Sequence, residues 1–357
     1  MIQVLDDLES GGLEVPVALR SWSKVRPILS TNESGLPLPH PLDFEWWFSR
    51  PSCDDLINEY LSTLQGFSTL ALLGTPRLAE VLAVGERTEA GVHLFERRGD
   101  ATEAVLDVSG NRIQVHPGDV AATWSELAGQ VDLVIADPPW YPPSIATFMY
   151  AAGGMLAPLG RLLICCPGLG TRPAMPGERA QLHNLAARTG FVLERMVPSA
   201  LTYESPPFEL AALRASELPG FDPFWRRGDL MIFRRLPGIE PERPSAIGTS
   251  EGSHWTEVVV GRTRFRVNSS GKQPEAGDLD RVVEGDVLDS VSTRDPRRAL
   301  VNVWTTSNRV FRSGRPVAVI DALARIAQGQ APQGDLGDSL QQLVRVESSA
   351  LAALGVE

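Results

Sequence analysis

Short, continuous apolar runs recur along the first two thirds of the chain, separated by segments with helical spacing. The runs are Ser68–Leu73 (STLALL), Val92–Phe95, Arg112–Val115, Val131–Ala136 (VDLVIA), Arg161–Cys165, Phe191–Met196 and Leu230–Phe233. A half-exposed strand alternates polar and apolar residues, whereas an uninterrupted apolar run suits a strand covered on both faces. Helical spacing falls between the runs, at Pro76–Val84, Trp124–Leu127, Ser144–Leu156 and Arg179–Arg188. The pattern predicts an α/β fold with a parallel sheet between two helical layers. The last strand enters after a long excursion, from Pro198 to Asp229, and is expected to pair antiparallel at the end.

The rest of the chain falls outside this alternation. Residues 1–66 read as an N-terminal arm with a helical segment at Cys53–Leu64, whose apolar positions are Leu56, Tyr60, Leu61 and Leu64. Within the arm, His40–Ser49 (HPLDFEWWFS) packs four aromatics into ten residues, an anchor for one face of the next domain or a surface for stacking a ligand. Residues 67–236 hold the strands and helices, and 237–254 are a Pro-, Gly- and Ser-rich linker. Residues 255–357 form a smaller β-rich or α+β C-terminal domain. Trp255–Val260 and Thr263–Val267 read as a hairpin around Gly261-Arg262. Further strands are expected near Val282-Val283, Val287–Val291 and Leu300–Trp304, with helices at Asp321–Ala327 and Leu340–Leu354.

Charge narrows the function. The net charge is −11, yet residues 240–357 carry 14 Lys+Arg against 16 Asp+Glu, so nine of the eleven net negative charges lie upstream. A protein that grips duplex nucleic acid unaided presents a basic footprint, which this acidic region lacks. No apolar run is long enough to span a membrane, and the acidic N-terminus does not read as a secretory signal. Cys53, Cys165 and Cys166 read as buried structural thiols, which suits a reducing, cytoplasmic setting. No Cys/His spacing fits a metal site, and His40, His93, His116, His183 and His254 are scattered.

Chemistry concentrates at Asp137-Pro138-Pro139-Trp140, which directly follows the strand VDLVIA. Open α/β sheets bind ligands beyond the carboxyl ends of their strands. An amine conjugated to a ring is a poor nucleophile. The Asp137 carboxylate and the Pro138 carbonyl can each accept one of its N–H groups, orienting the nitrogen and stabilising the charge that it develops. Pro138 and Pro139 fix the backbone and remove competing donors, and Trp140 offers a face on which a planar group stacks. A rigid strand exit with a packed tryptophan is the alternative reading.

On these residues, and over Phe67–Arg235, the chain resembles the class I S-adenosylmethionine-dependent methyltransferases. Its Asp-Pro-Pro-Trp is similar to the fourth motif of the amino-methyltransferases, and most of all to the N6-adenine enzymes. The messenger-RNA adenine enzymes that share the tryptophan carry their motifs in permuted order. The resemblance implies a Rossmann-like sheet, S-adenosylmethionine as cofactor and transfer to an exocyclic or other planar amine, adenine N6 leading. It also implies a cofactor loop at LALLGTPRLA, with Gly74 and Thr75. The family has two or three glycines there, and this chain has one. Glu96 matches the acid that takes the ribose hydroxyls, or is an exposed surface acid. Asp119 matches the acid at the cofactor's adenine, or is a helix cap.

A second resemblance, of LLGTP followed by Asp-Pro-Pro-aromatic, is to the branched-polyamine synthases, which transfer aminopropyl groups from decarboxylated S-adenosylmethionine. There Glu204 and Glu209, in Tyr203–Glu209 after the sixth strand, would anchor amines, solvated loop acids being the alternative reading. A cation near the first loop, for which Arg77 is the candidate, would instead favour the ordinary donor through its carboxylate. A third reading is a non-catalytic module in a larger assembly, with a partner bound through the aromatic segment or the C-terminal domain. The acceptor includes nucleic acid among its candidates. Arg294–Arg298, with Arg309 and Arg312, form the basic clusters, solvated or contacting phosphate. The polar strand end Trp304–Asn308 has no evident task.

Overall fold

The computed structural model describes residues 34–43, 45–58, 69–85, 91–217, 222, 225–244, 254–270 and 277–354. After the short helix α1 (Arg50–Leu56), strands and helices alternate: β1 (Thr69–Leu73), α2 (Pro76–Gly85), β2 (Gly91–Glu96), α3 (Gly99–Ser109), β3 (Ile113–Pro117), α4 (Val120–Thr123), β4 (Val131–Ala136), α5 (Pro142–Met155), β5 (Leu156–Pro167), α6 (Met175–Arg188), β6 (Phe191–Thr202), α7 (Pro207–Ala215) and β7 (Arg227–Arg235). They form one seven-stranded sheet in the order β3-β2-β1-β4-β5-β7-β6. The first five strands are parallel, and β7 is antiparallel to both of its neighbours. The final strand therefore inserts between β5 and β6 rather than extending the sheet. This is a Rossmann-like sheet, with one antiparallel strand inserted.

The apolar runs of the central strands do what their pattern dictates, whereas β6, at the sheet edge, leaves Val192, Leu193 and Met196 exposed. Leu70 and Leu72 face one core with Leu133, Ile135 and Leu163, while Ala71 and Leu73 face the other with Val134, Leu162 and Ile164. Each layer buries these central-strand residues against helices, so both faces of the middle of the sheet are closed to water. Helices α3, α4 and α7 were not expected. α3 opens on Gly99-Asp100 and α7 on Pro206-Pro207, both of which read as loop. Proline is nevertheless favoured in a helix's first turn, where its missing N–H costs nothing. The expected helix at Cys53–Leu64 is described only in its first part, and Tyr60, Leu61 and Leu64 lie outside the described residues.

A second, five-stranded antiparallel sheet has the order β10-β12-β11-β9-β8. Its strands are β8 (Trp255–Val260), β9 (Thr263–Asn268), β10 (Asp280–Arg281), β11 (Val303–Thr305) and β12 (Val310–Arg312). Helices α8 (Pro316–Ala327) and α9 (Gly334–Ala353) cover it. The hairpin at Gly261-Arg262 is present. Two expected strands differ. Val287 makes only an isolated bridge to Arg309, and a 3-10 turn at Pro296–Leu300 precedes β11. Trp304–Asn308 is the β11–β12 turn: Asn308 has φ +65°, accepts from Trp304 Nε1 at 2.9 Å and donates to the Leu288 carbonyl at 2.6 Å. Its task is to hold that turn.

The segment before α1 joins the two sheets. The His40 ring lies 3.3 Å from the Trp304 carbonyl. Asp43, 6% exposed, pairs with Arg264 and Arg266 of β9, each at 2.6 Å, and with Arg98 at 3.7 Å. The arginines hold its carboxyl well below the usual range, against the opposing cost of burial. Arg264 is 2% exposed and also pairs with Glu257 at 2.7 Å. Removing one partner from such a network leaves buried charge uncompensated. Arg264→Met is expected to lower unfolding free energy by about 3 kcal/mol in a urea titration; a loss within error of zero would show that the network is not structural.

Candidate active site

Four strand ends, those of β1, β2, β3 and β4, meet over one cavity of about 300 Å³. The sheet's hydrogen bonding continues one residue past β1, β3 and β4: Gly74 N donates to Phe95 O at 3.0 Å, Gly118 N to Glu96 O at 2.9 Å, and Asp137 N to Leu73 O at 3.1 Å. These bonds fix the three loops against one another. Gly74 has φ +63°, and a Cβ there would sit 3.3 Å from both the Asp137 carbonyl oxygen and the Phe148 ring. Only glycine takes this conformation without strain while allowing so close an approach.

The cavity brings together most of the residues singled out from sequence. Gly74, Glu96, Asp119, Asp137, Pro138, Pro139 and Trp140 all line it. Glu96 is 7% exposed, not a surface acid; its Oε1 accepts the Arg98 amide at 2.9 Å. Burial, then the nearby Glu45, pushes its carboxyl up. Asp119 both lines the cavity and caps α4, accepting the Ala121 amide at 2.8 Å. Thr75 is absent from the lining; its side chain turns into the core at 3% exposure.

Arg77 is also not where the sequence suggested. It is 2% exposed, pairs with Glu80 one turn along α2 and lies on the side toward Cys53, away from the cavity. Glu80 in turn accepts from Ser34 Oγ at 2.8 Å and Gly35 N at 2.6 Å. Arg77 therefore anchors the chain before α1. The cations that do line the cavity are Arg97, Arg172 and Arg226. Glu209 is likewise engaged: it accepts from Arg226 at 2.5 Å and from Trp46 Nε1 at 3.1 Å. Glu204 is buried and absent from the lining.

Several residues reach the site from far along the chain. Trp46 and Trp47 form part of the wall, and Phe48 bridges to Tyr203, so the aromatic segment is both anchor and cavity lining. The Arg226 guanidinium lies 4.2 Å from the Trp46 ring centre and 4.9 Å from that of Trp225. Tyr203 donates to Asp137 Oδ1 at 2.6 Å, and its hydroxyl oxygen lies 2.9 Å from Cys165 Sγ. The Trp140 ring meets Tyr203 edge-on, with centroids 5.5 Å apart. The sequence reading reached this segment only through Glu204 and Glu209, and did not single out Tyr203.

Asp137 keeps part of its surface toward the cavity, yet the protein around it pushes its carboxyl up to about 8, with Tyr203 drawing it partly back. Three arginines of the C-terminal basic clusters, by contrast, are tied up locally. Arg297 pairs with Asp289 and Asp295, Arg309 with Asp286 and Glu347, and Arg298 stacks over Trp304 at 4.3 Å. Among the described residues, no group of three or more His, Cys, Asp or Glu side chains is arranged for a metal ion, and no helix is long and apolar enough to cross a membrane.

No family model matches this sequence, and no curated protein matches it. Solved structures share its sheet. One is a variant of the branched-chain polyamine synthase of Thermus thermophilus in complex with N4-aminopropylspermidine and 5'-methylthioadenosine (14% identity, TM-score 0.49), matched over 62% of this chain and 67% of that one. The match thus spans about two thirds of the synthase. A proposed RNA methyltransferase of Pyrococcus horikoshii matches over 58% of this chain and 96% of its own, at 16% identity and TM-score 0.42. A geranyl diphosphate methyltransferase in complex with GPP and sinefungin matches over 51% and 78%, at 12% identity and TM-score 0.36. At such identities the likeness is one of fold.

The cavity's features suit S-adenosylmethionine: a glycine loop that a Cβ would crowd, a buried carboxyl with one oxygen unengaged, and an acid at the next strand end. The same enclosure makes Asp137 costly to ionise. Its folded pKa lies above its unfolded one, so the folded state keeps a proton that the unfolded state releases above about pH 4. Stability is therefore lost as pH rises from there through about 8. Asp137→Asn cannot charge, so its thermal stability should exceed the parent's by about 1 kcal/mol at pH 8, after discounting for cavity water, with the gap closing below about pH 4. A parent of equal stability at pH 8 would contradict this environment for Asp137.

Proposed function

We propose that this chain transfers a methyl group from S-adenosylmethionine to the nitrogen of a planar amine, adenine N6 being the leading expectation. One observation carries the reading. The Asp137 carboxyl and the Asp-Pro-Pro-Trp backbone lie in the same cavity as Gly74, Glu96 and Asp119. When bound, the cofactor supplies a methyl group made electrophilic by its sulfonium. Gly74 would let the backbone approach it, Glu96 would accept from the ribose hydroxyls and Asp119 would stand beside the adenine.

On the acceptor side, Asp137 and the Pro138 carbonyl would each accept an N–H of the amine. Held this way, the nitrogen lone pair points at the methyl carbon, and the new N–C bond forms as the methyl–sulfur bond breaks. The amine then carries one proton too many. A carboxylate whose pKa sits near 8 is suited to take it, because proton acceptance is most effective when the pKa lies near the working pH. Trp140 would stack on the ring that bears the amine.

Aminopropyl transfer is the second reading, and one observation favours it: Arg77, the expected partner of the donor carboxylate, is buried against Glu80. The acceptor side opposes it. Glu209 is occupied by Arg226 and Trp46, and Arg226 itself lines the cavity, where it would repel a polycation.

The test is a transfer assay with two donors, methyl-labelled S-adenosylmethionine and its decarboxylated form, against oligonucleotides, nucleosides, a carboxamide peptide and spermidine. Methylated product from the ordinary donor is expected. Asp137→Ala should lower turnover at least about a hundredfold while S-adenosylhomocysteine still binds. Aminopropylated spermidine would reverse the order of the two readings, and undiminished turnover by Asp137→Ala would remove Asp137 from the chemistry.

A further inference from the structure

The carboxyl of Asp137 has two oxygens, and one of them is already in use. Oδ1 accepts the Tyr203 hydroxyl at 2.6 Å. A hydroxyl has one proton, and a carboxyl oxygen, ionised or neutral, accepts better than a thiol sulfur, so that proton goes to Asp137. The thiol of Cys165 then faces the phenol oxygen from 2.9 Å as a weak donor. The result is a directed chain from Cys165 on β5, through Tyr203 beyond β6, to Asp137 at the end of β4. Gly228 on β7 makes room for it, since a Cβ there would collide with Cys165 Sγ and come within 3.3 Å of the Trp140 ring.

We propose that Tyr203 is the positioning residue of this site: its hydroxyl occupies Oδ1, holds the carboxylate plane, and leaves Oδ2 for the target amine. The proposal rests on the amine-transfer reading above. Tyr203 is itself held rigidly, 2% exposed, with Phe48 at 5.2 Å on one side, Trp140 edge-on at 5.5 Å on another, and its amide donating to the Arg226 carbonyl at 3.1 Å. A side chain this constrained can fix the rotamer of its acceptor. Without it, Asp137 would lose both its orientation and the one bond that favours its charged form. A neutral acid presents an O–H where the amine needs an acceptor.

The surroundings leave this role to Tyr203. The groups around Asp137 are Tyr203, Cys165 and Cys166, with Asp229 behind them on β7 paired to Arg179 at 2.8 Å. Across the cavity stand Glu45, Glu96 and Asp119, and the cations Arg97, Arg172 and Arg226. Burial keeps both thiols and the Tyr203 phenol protonated through neutral pH, so none of them titrates with Asp137.

The experiment is a four-variant cycle of the full chain: parent, Tyr203→Phe, Asp137→Asn and the double variant, followed by thermal unfolding from pH 5 to 10. Tyr203→Phe should cost more stability at pH 9.5 than at pH 6, because the folded carboxyl resists charging further once its donor is gone. In the Asp137→Asn background that pH dependence should vanish. Where transfer is measurable, the rate profile of Tyr203→Phe should move about one pH unit alkaline, with activity partly recovered at high pH. A cost that is the same at every pH, whichever residue stands at 137, would overturn the proposal. So would an activity loss that is uniform across the profile. The unfolding arm needs no substrate, so it decides the Tyr203–Asp137 coupling even if the transfer reading fails.

Discussion

The bond from the Asp137 amide to the Leu73 carbonyl ties the Asp-Pro-Pro-Trp exit, the proposed reaction centre, to the loop after β1, the proposed cofactor loop. At 3.1 Å it extends the β1–β4 ladder past its last strand pair and brings the Asp137 carbonyl against Gly74. Everything functional hangs on that closeness. The loop after β1 has one glycine because one is enough: the chain turns at Gly74 with φ +63° and enters α2 at Pro76, where proline is preorganised for the first turn. Thr75 and Pro76 stand where the related loops carry further glycines, and the described geometry accommodates them without opening the turn.

A second constraint runs perpendicular to the sheet. The aromatic segment before α1 forms part of the cavity wall and is held from outside by the five-stranded sheet, through the Asp43 pairs to Arg264 and Arg266. Arg98 reaches the same carboxylate from the loop after β2, while its amide caps Glu96. A single buried acid thus links the C-terminal sheet, the cavity wall and the carboxyl at the end of β2. The C-terminal sheet is in this sense a structural neighbour of the site, and its arginines are spent on local pairs rather than displayed as one basic surface.

The sheet and the strand exits were legible because they follow from local pattern: VDLVIA running into Asp-Pro-Pro-Trp predicts both a buried strand and a site at its carboxyl end. Gly74, Glu96 and Asp119 were legible for the same reason, each lying at or just after a strand end. What required three dimensions was everything that arrives sideways. Tyr203 is 66 residues from Asp137, and Arg226 is 17 from Glu209. No periodicity marks them as partners. Arg77 was misplaced because its position in the first loop says nothing about which side of α2 it leaves from, and pairing with Glu80 drew it inward. α7 was missed because Pro206-Pro207 looks like a break, although a proline pair also makes a good helix start.

The central claim is that the ends of β1, β2, β3 and β4 form one adenosyl-binding cavity. Calorimetric titration of the purified chain with S-adenosylmethionine tests it most directly, with Glu96→Ala as the companion. The account predicts saturable binding near one to one, weakened about tenfold or more by Glu96→Ala. Absence of saturable binding would contradict it, as would binding that Glu96→Ala leaves unchanged.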